Sequence, residues 1–157
     1  MFKTVIWATN GSEGADAALQ QALQLAKLSG GRIVAVHCDH RLHGRAAAYP
    51  ALADEEDIQV ELRRKVDELK SDGLDIELVI RRSHLDAADV VASIAAELGG
   101  DVIVCGTRGF GPFAGAVIGS FTQRLLHAAP CSVLAVRGRV EVEPELAKDE
   151  EKAGAGA

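Results

Sequence analysis

The residues best suited to bind a phosphate group lie in one glycine-rich segment of the chain. It begins with Gly106-x-x-Gly109, continues for nine residues and ends in Gly119-Ser120. Glycines let backbone amides approach another group closely, and free amides at a helix N-terminus attract anions. Ser120 and Gln123 have the Ser-x-x-Gln spacing of a capping box, which predicts that a helix begins here. The segment therefore predicts a cradle of backbone amides for an anionic ligand.

The distribution of charge favours the same kind of ligand. Residues Val102 through Val140 contain no Asp or Glu, whereas they contain four arginines: Arg108, Arg124, Arg137 and Arg139. This stretch is therefore +4, within a chain whose net charge is -6. The alternative is that loops and buried strands simply lack acidic residues. Because the chain as a whole is acidic, we expect neither nucleic acid nor an anionic membrane as a partner.

Two better-known phosphate motifs do not fit this segment. A P-loop requires a lysine after its second glycine, and Pro112 occupies that position here. Residues Gly109 to Ala114 match the Gly-x-Gly-x-x-Ala fingerprint of dinucleotide-binding proteins. That fingerprint also requires a helix that begins at once and an acidic residue about 20 residues later. The sequence predicts neither, so we interpret the match as chance.

Other residues that could bind a metal or act as a nucleophile are weaker candidates. His37, His40 and His43 lie near a cysteine and an aspartate. Neighbouring strand residues point to opposite faces, which favours surface histidines at a strand end over a metal site. Ser12 has no Gly-x-Ser-x-Gly frame and is interpreted as a helix cap. The three cysteines are far apart, and no export signal is visible, which predicts reduced thiols in a cytoplasm.

Apolar strands and amphipathic helices alternate along the chain and must position these residues. The predicted strands are Thr4 to Thr9, Arg32 to Cys38, Leu74 to Arg82, Asp101 to Cys105 and Cys131 to Arg137, and the predicted helices are 13–29, 54–71, 87–98 and 119–129. Strands that are apolar on both faces indicate an α/β protein whose parallel sheet is covered by helices on each side. A ligand would bind at the carboxyl ends of the strands, where strand order switches.

The remaining segments are predicted to be loops or a tail. Residues 39–53 contain glycine, proline and an alanine run, which predicts a loop. Residues 139–157 are charged and rich in Ala and Gly without an apolar period, which predicts a disordered tail. The chain is accordingly predicted to be one domain, residues 1–138, followed by this tail.

The spacing of Gly106-x-x-Gly109 and Gly119-Ser120 resembles the ATP-binding signature of the universal stress protein family. Two further segments are similar to that family: Val5 to Ser12, its opening strand and turn, and the closing segment Ala129-Pro130-Cys131-Ser132-Val133-Leu134. The resemblance covers roughly residues 3 to 137. It implies a Rossmann-like fold, a five-stranded parallel open sheet of order 3-2-1-4-5, and a homodimer formed through the last strand, Ser132 to Arg137.

The resemblance also implies which residues contact a nucleotide. They are Thr9 and Asn10 beside the adenosine, Cys38 at the adenine through its backbone, Gly106, Arg108 and Gly109 along the ribose and phosphates, and Gly119, Ser120 and Phe121 at phosphate. In one departure, Asn10 stands where the family usually has aspartate. Asparagine keeps the size and the carbonyl oxygen of aspartate but loses the charge that favours a metal ion.

The resemblance therefore implies a cytoplasmic protein that binds ATP, or a related adenine nucleotide with or without Mg²⁺, as a regulatory ligand in a stress response. Phosphoryl transfer requires a group that positions water and a well-held metal ion. The acid-free loop offers no general base, which favours binding without efficient turnover. Two alternatives stay open: a slow ATPase, and a dimeric interaction module of the same fold that binds no nucleotide.

Overall fold

The computed structural model of the chain describes residues 1–39, 51–107 and 118–138, and for residues 51–54 it describes the backbone alone. The strands are β1 (Thr4–Ala8), β2 (Arg32–Asp39), β3 (Ile76–Arg82), β4 (Val102–Gly106) and β5 (Ser132–Val136), and the helices are α1 (Glu13–Ser29), α2 (Ala51–Ser71), α3 (Ala87–Leu98) and α4 (Ser120–Ala128). Among these described helices, none combines the length with the apolarity that a bilayer crossing needs.

The five strands form one parallel sheet in the order β3-β2-β1-β4-β5. This order confirms both the predicted α/β class and the implied strand arrangement. Ile6 in the central strand β1 lies opposite Val34 of β2 on one side and Ile103 of β4 on the other. Because the chain leaves β1 in one direction and returns to its other side with β4, a crevice forms between the carboxyl ends of these two strands.

Alternate residues of the buried strands pack into two cores, one on each face of the sheet. Val5 and Trp7 face α1 and α2, whereas Ile6 and Ala8 face α3 and α4. Burial on both faces explains why the strands read as continuous apolar runs. Trp7 is fully buried, and its indole Nε1 donates a 2.8 Å hydrogen bond to the carbonyl of Ala15 in α1. Trp7 therefore packs in the core beneath α1.

Local capping residues set the limits of α1 and α3, which match the predicted ones. Ser12 Oγ accepts a 3.3 Å hydrogen bond from the amide of Ala15 at the start of α1. Asp86 Oδ1 accepts one of 2.9 Å from the amide of Ala88 at the start of α3. Gly30 and Gly99 end the two helices in the left-handed conformation, with φ of 62° and 64°. Short polar capping residues and a terminal glycine can be recognised in a sequence, so helix limits that depend on them can be predicted.

The start of α2 differs from its prediction. The helix begins at Ala51 rather than at Asp54, so the acidic run 54–57 extends into the second turn. Asp39, predicted to lie in a loop, is the last residue of β2, where it pairs with Arg82 of β3. Arg82 Nε donates a 3.1 Å hydrogen bond to the Asp39 carboxylate, which extends the strand by one residue.

The third strand also begins later than predicted, at Ile76 rather than at Leu74. The reason is local, because the amide of Leu74 donates a 3.1 Å hydrogen bond to the carbonyl of Leu69 and so completes the end of α2. Three sets of predicted features lie outside the described residues: loop positions 40–50 with His40 and His43, the loop residues Arg108 and Gly109, and the tail 139–157.

Candidate functional site

A cavity of about 240 Å³ lies at the carboxyl ends of β1, β2 and β4, at the switch in strand order. Its lining combines small and apolar residues with a few polar ones: Ala8, Thr9, Asn10, Ser12, Ala15, Val36, His37, Cys38, Ala87, Val91, Cys105, Gly106, Thr107, Gly119, Phe121 and Thr122. This is the place where open α/β sheets bind their ligands, and the mixed lining suits a flat apolar group that carries polar substituents.

Most of the predicted site residues within the described part of the chain meet at this cavity. Its lining includes Thr9, Asn10, Cys38, Gly106, Gly119 and Phe121. Ser120 does not line it, and its side chain is exposed at the start of α4. Residues from three strand ends and from the start of α4 are thus brought together, although more than one hundred positions separate Thr9 from Phe121.

The turn after β1 forms one wall of the cavity. The amide of Thr9 donates a 3.0 Å hydrogen bond to the carbonyl of Val36 in β2. Thr9 Oγ1 accepts one of 3.2 Å from the amide of Gly11, and Asn10 Oδ1 accepts one of 3.1 Å from the amide of Ser12. Gly11 has a φ of +78°, which favours glycine. The wall is therefore a tight turn in which the side-chain oxygens of Thr9 and Asn10 already hold backbone amides.

The start of α4 contradicts the predicted capping box. Gly119 is the N-cap residue, with φ −62° and ψ 154°, and no side chain caps the helix. The carbonyl of Gly119 accepts a 3.0 Å hydrogen bond from the amide of Gln123, while Gln123 Nε2 donates one of 2.8 Å to the carbonyl of Ile118. A serine caps only from the position before the first helical residue, and Gly119 occupies that position. Ser120 is the first helical residue instead.

Backbone amides at this helix start are divided between two roles. The amide of Gly119 donates a 2.8 Å hydrogen bond to the carbonyl of Thr107, so it is engaged within the protein. The amides of Ser120 and Phe121 belong to the first turn, where N–H groups have no partner inside a helix. With the positive end of the helix dipole, these two amides make the α4 side of the cavity attractive to an anion.

Thr122 is a cavity residue that the sequence did not single out. It is 1% exposed, and its Oγ1 donates a 2.9 Å hydrogen bond to the carbonyl of Gly106 at the end of β4. Burial raises the pKa of the neighbouring Cys105 thiol, and a hydrogen bond with Thr122 offsets part of that rise. Thr122 thus fastens the start of α4 to the strand that precedes the glycine-rich segment. Its three-residue spacing from the buried Leu125 is the signal that could have revealed it.

One of the four arginines that were counted towards an anionic ligand has another role. Arg124 Nη2 lies 2.5 Å from Asp89 Oδ2, and its Nε lies 3.6 Å from Asp86 Oδ1. The hydrogen bonds with Arg124 lower the pKa of Asp89 and raise that of the arginine itself. Arg124 therefore links α4 to α3. It does not count among the positive charges that the sequence offered for an anionic ligand.

His37 is a second cavity residue that was interpreted differently from the sequence. It was expected among surface histidines, but it is 3% exposed. Its Nδ1 lies 2.9 Å from the carbonyl oxygen of Thr9, and its Nε2 lies 2.8 Å from Glu55 Oε1. The signal was its alternation with Ile33 and Ala35, which face the core beneath α1 and α2. No three metal-ligating side chains come together in the described residues.

The β2 side of the cavity has the opposite electrostatic character from the α4 side. Burial raises the pKa of the Cys38 thiol to about 11, and the carboxylates of Asp39, Glu55 and Asp86 contribute to the rise. Cys38 is therefore a neutral thiol at physiological pH rather than a nucleophile. A ligand with a neutral end and an anionic end would place its neutral end here and its anionic end near Phe121.

Comparison with known proteins supports the likeness found in the sequence. The model of the universal stress protein family matches residues 1–137. A relative described as "universal stress protein in QAH/OAS sulfhydrylase 3′ region", from Thermus aquaticus, is 30% identical over 148 residues, which cover 87% of this chain and all of the relative.

Solved structures show the same fold. The crystal structure of a universal stress protein in complex with cAMP is 25% identical, has a TM-score of 0.66, and covers 88% of this chain and 99% of its own. A universal stress protein from Archaeoglobus fulgidus in complex with dAMP is 21% identical, with a TM-score of 0.62, covering 86% and 97% of the two chains. At that lower identity the likeness concerns the fold alone.

Proposed function

Since this chain belongs to the universal stress protein family, we propose that it binds ATP or a related adenine nucleotide in the cavity between β1 and β4. The nucleotide acts as a regulatory ligand in a stress response of the cytoplasm. The observation that carries the proposal is the cavity itself, which lies at the strand-order switch and adjoins the N-terminus of α4. The likeness to a structure that contains cAMP supports an adenine compound as the ligand.

The polarity of the cavity supports one orientation of the nucleotide. The phosphates lie at the start of α4, where the amides of Ser120 and Phe121 are available, beside Gly106. Arg108 and Gly109, outside the described residues, stay predicted contacts of the ribose and phosphates. The adenine lies at the β2 side, where Cys38 contacts it through its backbone and Val36 and Val91 supply apolar surface. Thr9 and Asn10 border the adenosine between these ends. Gly119 leaves space for the ligand but does not donate its amide to it, because that amide donates to the carbonyl of Thr107.

Because residue 10 is asparagine, the turn after β1 contributes no negative side chain to the proposed site. Its Oδ1 accepts one hydrogen bond, from the amide of Ser12, so the side chain offers a ligand its amide nitrogen as donor and the second lone pair of Oδ1 as acceptor. Mg²⁺ enters only as a counterion of the phosphates, since Asn10 supplies no carboxylate to hold it. The site is proposed to bind the nucleotide rather than to turn it over efficiently.

Titration calorimetry with ATP, ADP, AMP and cAMP tests the proposal. We expect heat of binding with at least one of them, and thermal stabilisation that grows with its concentration. At a nucleotide concentration of about 100 times Kd, the free energy of unfolding rises by about 2.7 kcal/mol. Neither heat nor stabilisation with any of the four at millimolar concentration would contradict the proposal and favour a module that binds no nucleotide.

Gly119→Val tests whether the cavity is the site. The backbone of Gly119 is extended, a conformation that valine adopts readily, so the variant should fold while its side chain fills ligand space. We expect loss of nucleotide binding with an unchanged circular dichroism spectrum. Gly138→Val is the matched control, because a Cβ there would meet nothing within 4 Å. Wild-type affinity in Gly119→Val would place the ligand elsewhere.

A homodimer formed through β5 is the second part of the proposal. In the described sheet this strand pairs with β4 alone and leaves its other edge without a strand. Ser132 and Leu134 are exposed along it. An unpaired strand edge is a template for pairing with another chain, so the segment Ser132 to Arg137 is the surface at which two copies would meet.

A further inference from the structure

Two hydrogen bonds fasten the start of α4 to the end of β4. The amide of Gly119 donates to the carbonyl of Thr107 at 2.8 Å, and Oγ1 of Thr122 donates to the carbonyl of Gly106 at 2.9 Å. A carbonyl oxygen accepts but never donates, so the hydroxyl of Thr122 is the donor. These two hydrogen bonds, here called the clasp, join the residues on either side of the glycine-rich segment.

The strand side of the clasp is firmly held by the sheet. Cys105 is fully buried, and Gly106 lies opposite Val136 of the neighbouring strand β5. The amide of Thr107 donates a 2.9 Å hydrogen bond to the carbonyl of Val136, so the chain stays bound to β5 one residue beyond the end of β4. The clasp therefore fixes the first turn of α4 relative to the sheet.

The two amides that are proposed to bind phosphate belong to residues inside the clasp. Ser120 and Phe121 lie between its two residues in α4, Gly119 and Thr122. A hydrogen bond weakens steeply when its angle departs from linearity, so a donor serves an anion only in a narrow range of orientations. Because both flanking residues are bonded to the end of β4, the two amides keep one orientation relative to the cavity.

The clasp also occupies two carbonyl oxygens at the cavity. Gly106 and Thr107 both line it, and their carbonyl oxygens carry partial negative charge. A Gly106 oxygen that lost its donor would add unpaired negative charge near the proposed place of the phosphate. The orientation of the amides and the pairing of this oxygen therefore act in the same direction, since both favour an anion while Thr122 donates.

Other contacts hold the body of α4 without the Thr122 hydroxyl. Leu125 is fully buried in the core on this face of the sheet, and Arg124 pairs with Asp89 of α3 at 2.5 Å. Loss of the hydroxyl therefore loosens the first turn while the helix stays packed. The walls proposed to contact the adenosine belong to the turn after β1 and to the end of β2, so they do not depend on this bond.

We propose that Thr122 is a positioning residue for the phosphate end of the nucleotide, because its hydroxyl holds the amides of Ser120 and Phe121 against the end of β4. This inference rests on the proposed function and specifies how the same cavity recognises an anionic ligand. Without the hydroxyl, the first turn spends less time in the arrangement that binds phosphate, so nucleotide affinity falls. The affinity for adenosine, which has no phosphate, does not fall.

Calorimetry tests the inference by comparing adenosine with the nucleotide that wild type binds most tightly among ATP, ADP, AMP and cAMP. The ratio of the two affinities measures what the phosphate contributes. Thr122→Val keeps the shape of the side chain but removes the donor, so nucleotide affinity should fall about fivefold or more, the net effect of one hydrogen bond. Its affinity for adenosine should stay within about twofold of that of wild type.

Two further variants separate positioning from a general loss of stability. Thr122→Ser keeps the hydroxyl but loses a buried methyl group, so it should be less stable than wild type and still bind the nucleotide with wild-type affinity. Ile94→Val is the matched control, because it removes a methyl group from a buried residue of α3 that does not line the cavity. It should bind both the nucleotide and adenosine as wild type does.

The outcomes distinguish this inference from the proposed function. If Thr122→Val binds the nucleotide as wild type does, or loses equal affinity for the nucleotide and adenosine, the inference is overturned and the proposed function stands. Loss of nucleotide affinity in Thr122→Ser as large as that in Thr122→Val would also overturn it. A wild-type protein that binds none of the four nucleotides would overturn both.

Hydrogen exchange followed by NMR on wild type gives a second readout that does not depend on the folding of a variant. The same nucleotide should slow the exchange of the Ser120 and Phe121 amides, while the Thr122 hydroxyl proton stays bonded to Gly106. Two results would overturn the inference: unprotected amides in the complex, or a Thr122 hydroxyl that leaves Gly106 to bond the phosphate as a direct ligand.

Discussion

At the scale of the single residue, the hydroxyl of Thr122 makes the contact that fixes the start of α4. It donates to the carbonyl of Gly106 from a buried position. Thr122→Val keeps the shape of the side chain but leaves that carbonyl without its donor, so we expect a loss of about 1–2 kcal/mol in the free energy of unfolding. Denaturant unfolding with fluorescence detection measures it.

Ser120→Ala is the natural comparison for that variant. Ser120 is exposed and caps nothing, so its replacement should change the free energy of unfolding by less than about 0.5 kcal/mol. A loss as large as that of Thr122→Val would mean that the serine hydroxyl stabilises the helix start after all.

The sequence revealed residues of the site whose neighbours in the chain are diagnostic, and it missed those whose role depends on burial. Strand ends and the spacing of glycines can be recognised in the sequence itself. The first signal applies to Thr9 and Asn10, and the second applies to Gly106 and Gly119. His37 was missed because a histidine at a strand end is exposed or buried according to which helix covers it. Its alternation with Ile33 and Ala35 indicates the face that helices cover, but how completely α2 covers the end of β2 is decided only when that helix packs against the sheet.

At the scale of the element, the Asp101 carboxylate holds the start of β1 against the start of β4. Its Oδ2 accepts hydrogen bonds from the amides of Thr4 at 2.8 Å and Lys3 at 2.7 Å, and these contacts lower the pKa of Asp101. A lowered carboxylate pKa adds stability that is present above the ordinary value, near 4, and is lost as pH falls through the folded value.

Asp101→Asn should therefore lower the thermal midpoint at neutral pH, with a difference from wild type that shrinks as the pH falls below about 4. Thermal unfolding followed across the acid range measures this difference. Asp72→Asn, at an exposed position after α2, is the control and should parallel wild type. A pH-independent gap between wild type and Asp101→Asn would show that the charge of Asp101 contributes nothing.

Element limits were predictable where a capping residue marks them. Ser12 and Gly30 enclose α1, and Gly99 ends α3, so the predicted and observed limits agree. The start of α2 was missed because alanines without a cap precede its acidic run. The start of α4 was missed by one position, since a serine next to a glycine offers two candidate caps and only the backbone geometry decides between them.

At the scale of the whole molecule, the alternation of strands and helices was enough to predict a parallel sheet. It was not enough to give the strand order, which came from the likeness to a family and was confirmed by the pairing of β1 with both β2 and β4. Strand order depends on contacts between distant segments, and a single chain's periodicity carries no record of them. The site followed from that order, because the switch point defines where the cavity forms.

The proposed dimer is tested at the same scale. Wild type at about 10 μM should sediment as a dimer, and Leu134→Asp should sediment as a monomer because it places a charge on the edge strand. Leu28→Asp, at a leucine that is 85% exposed on α1, is the control and should remain dimeric. A wild-type protein that sediments as a monomer would remove β5 as a self-association surface.

The indole of Trp7 provides an optical probe inside the protein. It is the single tryptophan of the chain, it is fully buried, and it bonds to the carbonyl of Ala15, a residue that lines the cavity. Its emission should therefore move to longer wavelength on denaturation. Trp7 is also next in sequence to Ala8, which lines the cavity. A change in the quantum yield of Trp7 fluorescence during titration with nucleotide would therefore report binding in the cavity without an attached dye.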